Sequence, residues 1–328
     1  MKSRIAIFFT GGTISMRFDP DIGAAVPGLS GKDILDNVPD LYDIADIEII
    51  DFGMYPGPHM TPQRMIELSA QLRRTLARDD IDGVVVTHGT DTLEETAFLI
   101  DLTVASEKPV AFAGAMRNSS ETGWDGPSNL LAATRVASSQ AARGLGTLVV
   151  MNETVLAASE ATKTHTESFD SFQSPDFGSL GVVDKGEVII RRRPIAREHF
   201  ATTALAEPVR LLKASSGFDS SLIEACLDRG SKGIVIEGLG RGNLPPESVP
   251  GIEQALKAGV PVVLTSRCLR GRVYESYGYA GGGRRLRDAG VIFADFLNGQ
   301  KARIKLSLAL SVTDEMEEIR RLFEHRRQ

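Results

Sequence analysis

Along most of the chain, short runs of aliphatic and β-branched residues alternate with longer stretches whose apolar residues recur at helical spacing. Up to residue 152 this pattern predicts five strands, at 4–9, 47–52, 83–88, 109–114 and 147–152. Between them it predicts four helices, at 31–38, 61–78, 91–104 and 126–142. Thr61 caps the second helix and Pro62 is its first residue. The alternation predicts an α/β domain with a largely parallel sheet flanked by helices.

The pattern breaks at residues 185–208, where one strand is followed by a basic, proline-flanked stretch without periodicity. It then resumes with predicted strands at 209–214, 233–238 and 261–266 and predicted helices at 219–229, 246–258, 299–311 and 314–327. We therefore predict a larger N-terminal α/β domain at 1–190, an interdomain linker at 191–208 and a smaller C-terminal α/β domain at 209–328. The stretch "GYAGGGRR" (278–285) is predicted to be a flexible loop.

Charge and residue composition argue against several classes of function. A formal net charge of −6 argues against a nucleic-acid partner, which would require a basic face. The two cysteines are too few for a disulfide framework, and the five histidines lack the spacing of zinc ligands, so no metal site is predicted. The apolar run in "MKSRIAIFFTGG" is too short for a signal-peptide core or a membrane span. We expect a cytoplasmic protein with neither a membrane nor a nucleic-acid partner.

Two polar turns come after predicted strands, "FFTGGTIS" (8–15) and "THGTDT" (87–92). The first could be a phosphate cradle, but neither glycine-rich nucleotide motif is present. It could also be a plain tight turn, or it could present Thr13 at the carboxyl end of a strand, where open α/β sheets bind ligands. In the second turn, Asp91 and Glu94 match a capping box, which leaves Thr90 and Thr92 unexplained.

A hydroxyl nucleophile needs a base, and Lys163 in "SEATKTHTE" (159–167) is a candidate, although a lone lysine is more often a surface residue. Together, "TGGTI" (10–14), "THGTDTLEETA" (87–97) and "TKT" (162–164) resemble the signatures of the bacterial-type L-asparaginases and asparaginase-glutaminases. Further matches, in the same order along the chain, are "DLTV" (101–104), "KPVAFAGAMR" (108–117), "DGPSNL" (125–130), "NETVL" (152–156), "GRGNLP" (240–245) and "QKAR" (300–303).

This resemblance implies a threonine amidohydrolase that releases ammonia from a side-chain amide without cofactor or metal. It implies Thr13 as the nucleophile and Thr90 as the second threonine, which Asp91 and Lys163 polarise so that it orients or activates the attacking group. Backbone N–H groups at the two turns would stabilise the oxyanion. The order in which the two threonines act stays open. The resemblance also implies a homodimer or homotetramer with sites near subunit interfaces. The expected substrate contacts are Gly57, Pro58, His59, Thr90, Asp91 and Ala115.

The chain departs from the family pattern in its substrate-binding residues. The family has a tyrosine in the loop after "TGGTI"; here none occurs between Thr13 and Tyr42, and the nearest aligned position is about Ala24. Tyr55, or one of Tyr274, Tyr277 and Tyr279, could replace it.

Counting back from Met60, Gly57 stands where the family's carboxylate-binding serine is expected. His59 or Arg117 could supply a substitute donor, and Glu275 is the one glutamate in 267–283 that could bind an α-amine. We therefore expect weaker binding of L-asparagine than in high-affinity members, little glutaminase activity and a better substrate among larger or N-substituted amides. A non-catalytic small-ligand sensor and a nucleotide-binding module are the competing hypotheses.

Overall fold

A computed structural model of the chain describes residues 2–195 and 197–324, and it separates two compact units, Met1–His199 and Phe200–Gln328. The division falls inside the segment 191–208, where the periodic pattern is interrupted. Of the helix predicted at 314–327, residues 325–327 lie outside the described residues. No described helix has both the length and the apolar character needed to cross a bilayer.

The first unit contains twelve strands and five α-helices among its described residues. The strands are β1 Ser3–Phe9, β2 Met16–Asp19, β3 Ala24–Pro27, β4 Ala45–Asp51, β5 Gly83–Thr87, β6 Val110–Ala113, β7 Thr147–Met151, β8 Thr154–Ala157, β9 Thr162–Lys163, β10 Phe172–Gln173, β11 Gly181–Asp184 and β12 Glu187–Ile190. The helices are α1 Gly31–Asp36, α2 Leu41–Ile44, α3 Pro62–Leu76, α4 Leu93–Thr103 and α5 Gly126–Ser138, and single 3₁₀ turns lie at Thr13–Ser15, Gly57–His59 and Gln140–Ala142.

Eight of these strands form one sheet in the order β12-β11-β8-β7-β6-β5-β1-β4. The five strands from β4 to β7 run parallel, and β8, β11 and β12 continue the sheet antiparallel. Both faces are covered, because Ile5, Ile7 and Val85 pack with α5 residues in one cluster while the alternate residues Phe8 and Val86 are also fully buried. The fold confirms the predicted α/β class, with a mostly parallel sheet in the larger unit.

The chain leaves the centre of this sheet in two opposite directions. From β1 it passes to the edge strand β4, whereas from β5, on the other side of β1, it passes to β6. This is a topological switch point, and the crevice outside the carboxyl ends of the strands there is where open α/β sheets bind ligands. The turns after β1 and β5 are the two threonine turns, so the fold brings them to one place.

The edge strand β4 is bordered by a network of alternating charges. Glu48 pairs with Arg4 at 2.9 Å and with Arg78 at 2.7 Å, and both arginines also reach Asp80, at 3.0 and 2.9 Å. The hydrogen-bonded Arg78 guanidinium holds the pKa of the Glu48 carboxyl below its ordinary value. The network joins β1, β4 and the segment after α3.

The second unit has a parallel sheet of four described strands, β13-β14-β15-β16. Its elements are β13 Val209–Lys213, α6 Ser221–Asp228, β14 Gly233–Gly238, α7 Val249–Lys257, β15 Val262–Ser266, α8 Gly283–Asp288, β16 Ile292–Phe293, α9 Gly299–Val312 and α10 Met316–Glu324. The prediction of a flexible loop at 278–285 is wrong for its end, because α8 begins at Gly283. The fully buried Leu286 supplies the apolar contact that holds this helix in place.

The structure adds elements that hydrophobic periodicity does not predict. The hairpin β2–β3 carries residues that are exposed or half-buried throughout, so it has no apolar period to detect. After β7 the chain reverses through Asn152 and Glu153, both with positive φ (48° and 58°), into β8. The cap at Thr61 is confirmed, since its side chain accepts from the Arg64 N–H at 3.3 Å.

Candidate active site

Three glycine-containing segments meet backbone to backbone at the switch point. Gly12 lies so close to Gly89 that a Cβ added to it would stand 2.3 Å from the Gly89 Cα, and a Cβ on Gly89 would stand 2.7 Å from the Gly57 Cα. Gly12 also donates its N–H to the Tyr55 carbonyl at 2.9 Å. Any side chain at Gly12 or Gly89 would force these segments apart. The glycines are therefore required by the close approach of three turns, and no phosphate need be invoked to explain them.

Lys163 joins the second turn through its Nζ. Its Nζ lies 2.9 Å from Thr90 Oγ1 and 2.8 Å from Asp91 Oδ1. The Lys163 side chain is 17% exposed, whereas the Asp91 side chain is 59% exposed. The structure therefore brings together three of the four predicted catalytic residues, and it places the lysine in contact with the threonine hydroxyl and not on the open surface.

A two-stranded ribbon carries Lys163 to this position. In it β9 pairs antiparallel with β10, with Lys163 opposite Phe172, and Thr164 donates its N–H to the Ser171 carbonyl at 2.7 Å. The Lys163 N–H points to Glu94 Oε1 at 3.5 Å, and Glu94 is 5% exposed. Helix α4, which comes directly after the threonine turn, thus also contacts the backbone of the lysine.

The capping-box interpretation of Asp91 and Glu94 is wrong. The cap residue of α4 is Thr92, and no side chain caps this helix. The Asp91 carboxylate instead accepts a charge-assisted hydrogen bond from Lys163 Nζ. The capping box gave no role to Thr92. In the structure its hydroxyl donates to the Gly57 carbonyl at 2.7 Å, which ties the segment that contains Gly57 to the second turn.

Thr13 begins the 3₁₀ turn after β1 and is half-buried. Its hydroxyl has no hydrogen-bond partner within residues 2–195 and 197–324, unlike Thr10 and Ser15 beside it, whose hydroxyls donate to Thr87 and Gly12 carbonyls at 2.7 and 2.8 Å. A threonine hydroxyl without an internal partner on the switch-point turn is available to a ligand.

The predicted substrate contacts divide into buried and exposed residues. Gly57 is buried, and a Cβ added to it would stand 3.2 Å from the Asp91 Cβ, so it lies directly beside the second turn. Pro58 and His59 are exposed. Ala115 is fully buried and comes after Gly114, where an added Cβ would stand 3.0 Å from Thr90 Cγ2. Their contacts with a substrate stay predictions.

The segment beside Thr90 is held by two polar residues, one at the start of α5 and one within it. Asp125 accepts the backbone N–H groups of Met116 at 3.0 Å and Arg117 at 2.9 Å, and Asn129 donates its amide to both Asp125 and the Gly114 carbonyl at 3.0 Å. The sequence marks this stretch only as a family match. The signal that could have found it is an aspartate and an asparagine four positions apart, on one face of a predicted helix.

Arg117 and Tyr55, the suggested replacements for the missing serine and loop tyrosine, contact other residues. The Arg117 guanidinium donates to the Thr122 carbonyl at 2.8 Å and lies 4.4 Å from the Phe169 ring centroid. The Tyr55 ring packs under the Arg64 guanidinium at 4.1 Å.

In the second unit, Glu275 forms an ion pair with Arg287 at 2.5 Å. Tyr274, Tyr277 and Tyr279 also belong to that unit, and their proposed contact with Thr13 stays a prediction. Ala24 lies exposed in β3 and offers no hydroxyl.

His88 is fully buried at the end of β5, and its ring lies 5.9 Å from that of Phe112. Burial lowers the pKa of this imidazole to about 4, against the smaller raising effect of its hydrogen bond to the Gly89 carbonyl. It is therefore neutral at pH 7. Within the described residues, no group of three or more histidine, cysteine or acidic side chains could hold a metal ion.

Comparison with known proteins agrees with this geometry. Residues 4–196 match the family model "Asparaginase, N-terminal", and residues 208–323 match the "Glutaminase/Asparaginase C-terminal domain". The chain is 40% identical to a probable L-asparaginase of Deinococcus radiodurans, covering 98% of this chain and 97% of the relative. It is 35% identical to an L-asparaginase of Bacillus licheniformis, covering 95% and 96%. The crystal structure of a probable cytoplasmic L-asparaginase from Campylobacter jejuni superposes with a TM-score of 0.89 at 35% identity, covering 98% of this chain and 99% of that one. The chain belongs to the asparaginase family.

Proposed function

We propose that this protein hydrolyses the side-chain amide of L-asparagine to L-aspartate and ammonia. The observation that carries the proposal is the contact of Lys163 Nζ with both Thr90 Oγ1 and Asp91 Oδ1, at 2.9 and 2.8 Å, beside the turn that bears Thr13. The relatives named L-asparaginase, which match over nearly the whole chain, support the same reaction.

Thr13 is the proposed nucleophile because its hydroxyl has no partner within residues 2–195 and 197–324, whereas that of Thr90 is occupied by Lys163. The Thr13 oxygen bonds to the amide carbon as its proton passes to Thr90 Oγ1. The proton of Thr90 passes in turn to Lys163 Nζ as the base, and Asp91 stabilises the positive charge so produced. From Lys163 the proton returns through Thr90 to the leaving nitrogen as the C–N bond breaks, and ammonia departs. Water then hydrolyses the ester on Thr13.

The amide oxygen gains negative charge as the new bond forms. The Thr90 N–H has no acceptor in the described part of the chain and lies on the turn that faces the nucleophile. We assign it to the oxyanion, a contact of a kind that is worth about 3 kcal/mol in other enzymes.

Substrate recognition differs from that of high-affinity members. Gly57 has no side chain to hold the α-carboxylate, and Pro56 and Pro58 each lack a backbone N–H. The exposed His59 is the nearest candidate donor in this segment. We therefore propose weak binding of L-asparagine and little action on L-glutamine. The exposed Pro58 and His59 favour a larger or N-substituted amide as an alternative substrate.

The decisive experiment is ammonia release from a panel of L-asparagine, D-asparagine, L-glutamine, succinamate and β-aspartyl amides. Release from L-asparagine with a high Michaelis constant supports the proposal. Release from none of these amides would refute the amidohydrolase assignment. A low-micromolar Michaelis constant for L-asparagine, with every other amide far worse, would refute the proposed weak recognition.

We further propose that the protein acts in the cytoplasm as a homodimer or homotetramer. The similarity to a structure titled as a cytoplasmic L-asparaginase supports the compartment. Sedimentation at micromolar concentration tests the assembly, and a fully active monomer would refute it. Cell fractionation tests the compartment.

A further inference from the structure

Among the described residues, the imidazole of His88 has one hydrogen-bond partner although it lies in the core of the first unit. It is 0% exposed, and its Nδ1 lies 2.8 Å from the carbonyl oxygen of Gly89. Its Nε2 is buried without a partner among the described residues. An orphaned buried nitrogen costs free energy, so the polar contact of this ring with its surroundings is the one at Nδ1.

The contact at Nδ1 determines how one peptide group is oriented. The Gly89 carbonyl and the Thr90 N–H belong to the same planar trans peptide, in which the two groups point in opposite directions. Since the carbonyl faces the buried ring, the Thr90 N–H faces away from it. No described residue accepts a hydrogen bond from that N–H.

The tautomer of the ring is determined by the same contact. A carbonyl oxygen can only accept, so Nδ1 carries the proton and Nε2 is bare. Burial keeps the ring neutral at pH 7, because the pKa of His88 falls to about 4. A neutral ring with a fixed Nδ1–H is a rigid donor whose position does not depend on pH in the physiological range.

We propose that His88 is a positioning residue, whose Nδ1–H holds the Gly89 carbonyl inward and thereby aims the Thr90 N–H at the developing oxyanion. The catalytic part of this inference rests on the proposed function. The orientation of the peptide and the tautomer do not, so they can be tested apart from activity.

The first test is nitrogen NMR of the wild-type protein labelled with ¹⁵N-histidine. The chain has five histidines, and His88→Asn identifies the resonances of this one. We expect a protonated Nδ1 and a bare Nε2 at pH 7.5, unchanged at pH 5.5. A protonated Nε2, or a ring that titrates near pH 6.5, would overturn the proposal.

The second test compares His88→Leu with His88→Asn, whose amide can place an N–H near the position of Nδ1. We expect His88→Leu to lower kcat for the best amide by about tenfold or more, with KM within about twofold, because an oxyanion contact acts in the transition state. His88→Asn should recover most of that loss. His199→Leu is the matched control, since His199 also contacts a carbonyl, that of Thr103 at 3.2 Å.

The outcomes separate this inference from the proposed function. If the wild type releases no ammonia from any amide, the proposed function fails, and the NMR result alone decides the role of His88. If His88→Leu keeps kcat within about twofold, or if His88→Asn loses as much as His88→Leu at equal melting temperature, the positioning role is wrong. If both variants unfold, the NMR measurement of the His88 tautomer in the wild-type protein still decides whether the positioning role is right.

Discussion

The two threonine turns lead into segments that are buried to very different extents. The turn with Thr90 runs into α4, in which ten of the eleven residues are buried, and Lys163 and Thr92 tie it to two other segments. The turn with Thr13 runs into the hairpin β2–β3, which has no buried residue and whose contacts include hydrogen bonds to Ser119 and Ser120. Segments with few buried contacts open most easily. The chain is therefore loosely held just after the Thr13 turn, whose own neighbours Ile14 and Ser15 are buried, and firmly held just after the Thr90 turn.

Thr13→Ala and Thr90→Ala test the comparison most strongly. We expect each to reduce kcat by about a thousandfold or more, because each hydroxyl has a proposed role in the chemistry. Stability should differ between them: Thr90→Ala lowers the free energy of unfolding by about 1 kcal/mol through its lost hydrogen bond and packing, and Thr13→Ala leaves it nearly unchanged. Steady-state kinetics and urea unfolding measure both. More than about a tenth of the wild-type rate in either variant would show a wrong assignment.

Lys163→Met should lower kcat by a factor of about 100 to 1,000, since a thioether can neither accept nor relay a proton. KM should change little, because Lys163 contacts the two site residues and is not expected to touch the substrate. Lys257→Met, at an exposed position in α7, is the matched control. Equal effects of the two substitutions on kcat would contradict a role for Lys163 as base.

Gly57→Ser should restore a carboxylate donor and lower the KM for L-asparagine about tenfold, in keeping with the strength of hydrogen bonds to charged groups. The added Cβ meets the Asp91 Cβ at 3.2 Å, so the neighbouring turn must yield by a few tenths of an ångström. Gly57→Ala introduces the same crowding without the hydroxyl and serves as the control. If both variants change KM alike, Gly57 does not determine recognition.

The buried His88 predicts a pH dependence of stability. Its pKa is lowered from 6.5 to about 4 in the folded state, so below pH 6.5 the unfolded chain takes up a proton that the folded chain does not. The contribution of His88 to the free energy of unfolding is fully present well above pH 6.5. It falls by about 1 kcal/mol between pH 6.5 and 5.5. Urea unfolding of the wild type and His88→Asn measures the difference, and identical pH profiles would contradict it.

Sequence periodicity predicted the parallel part of the fold well, because strands such as β5 are buried on both faces and read as unbroken apolar runs. It missed β2 and β3, which have no buried face, and the short α8 inside a glycine-rich stretch. These elements are set by hydrogen bonds and by the contact of Leu286, which a local window does not contain.

In the site, the threonines could be placed at strand ends from the sequence. The role of Asp91 could not be derived locally, because a cap and an ion pair look alike until Lys163, 72 positions away, is brought beside it. Only the family resemblance linked the two. The buried Glu94 and the single hydrogen bond of His88 depend on tertiary packing and had no local signal.

The charge network along β4 has a consequence for how this protein behaves in a crowded solution. An edge strand has unpaired backbone N–H and C=O groups. If "IEIID" (47–51) were apolar throughout, strands of other molecules could pair with it and cause aggregation. Glu48 interrupts that run, and Arg4 and Arg78 surround it with charge that an incoming strand would have to desolvate. In the folded protein the salt bridges thus oppose pairing of this edge with a strand of another molecule.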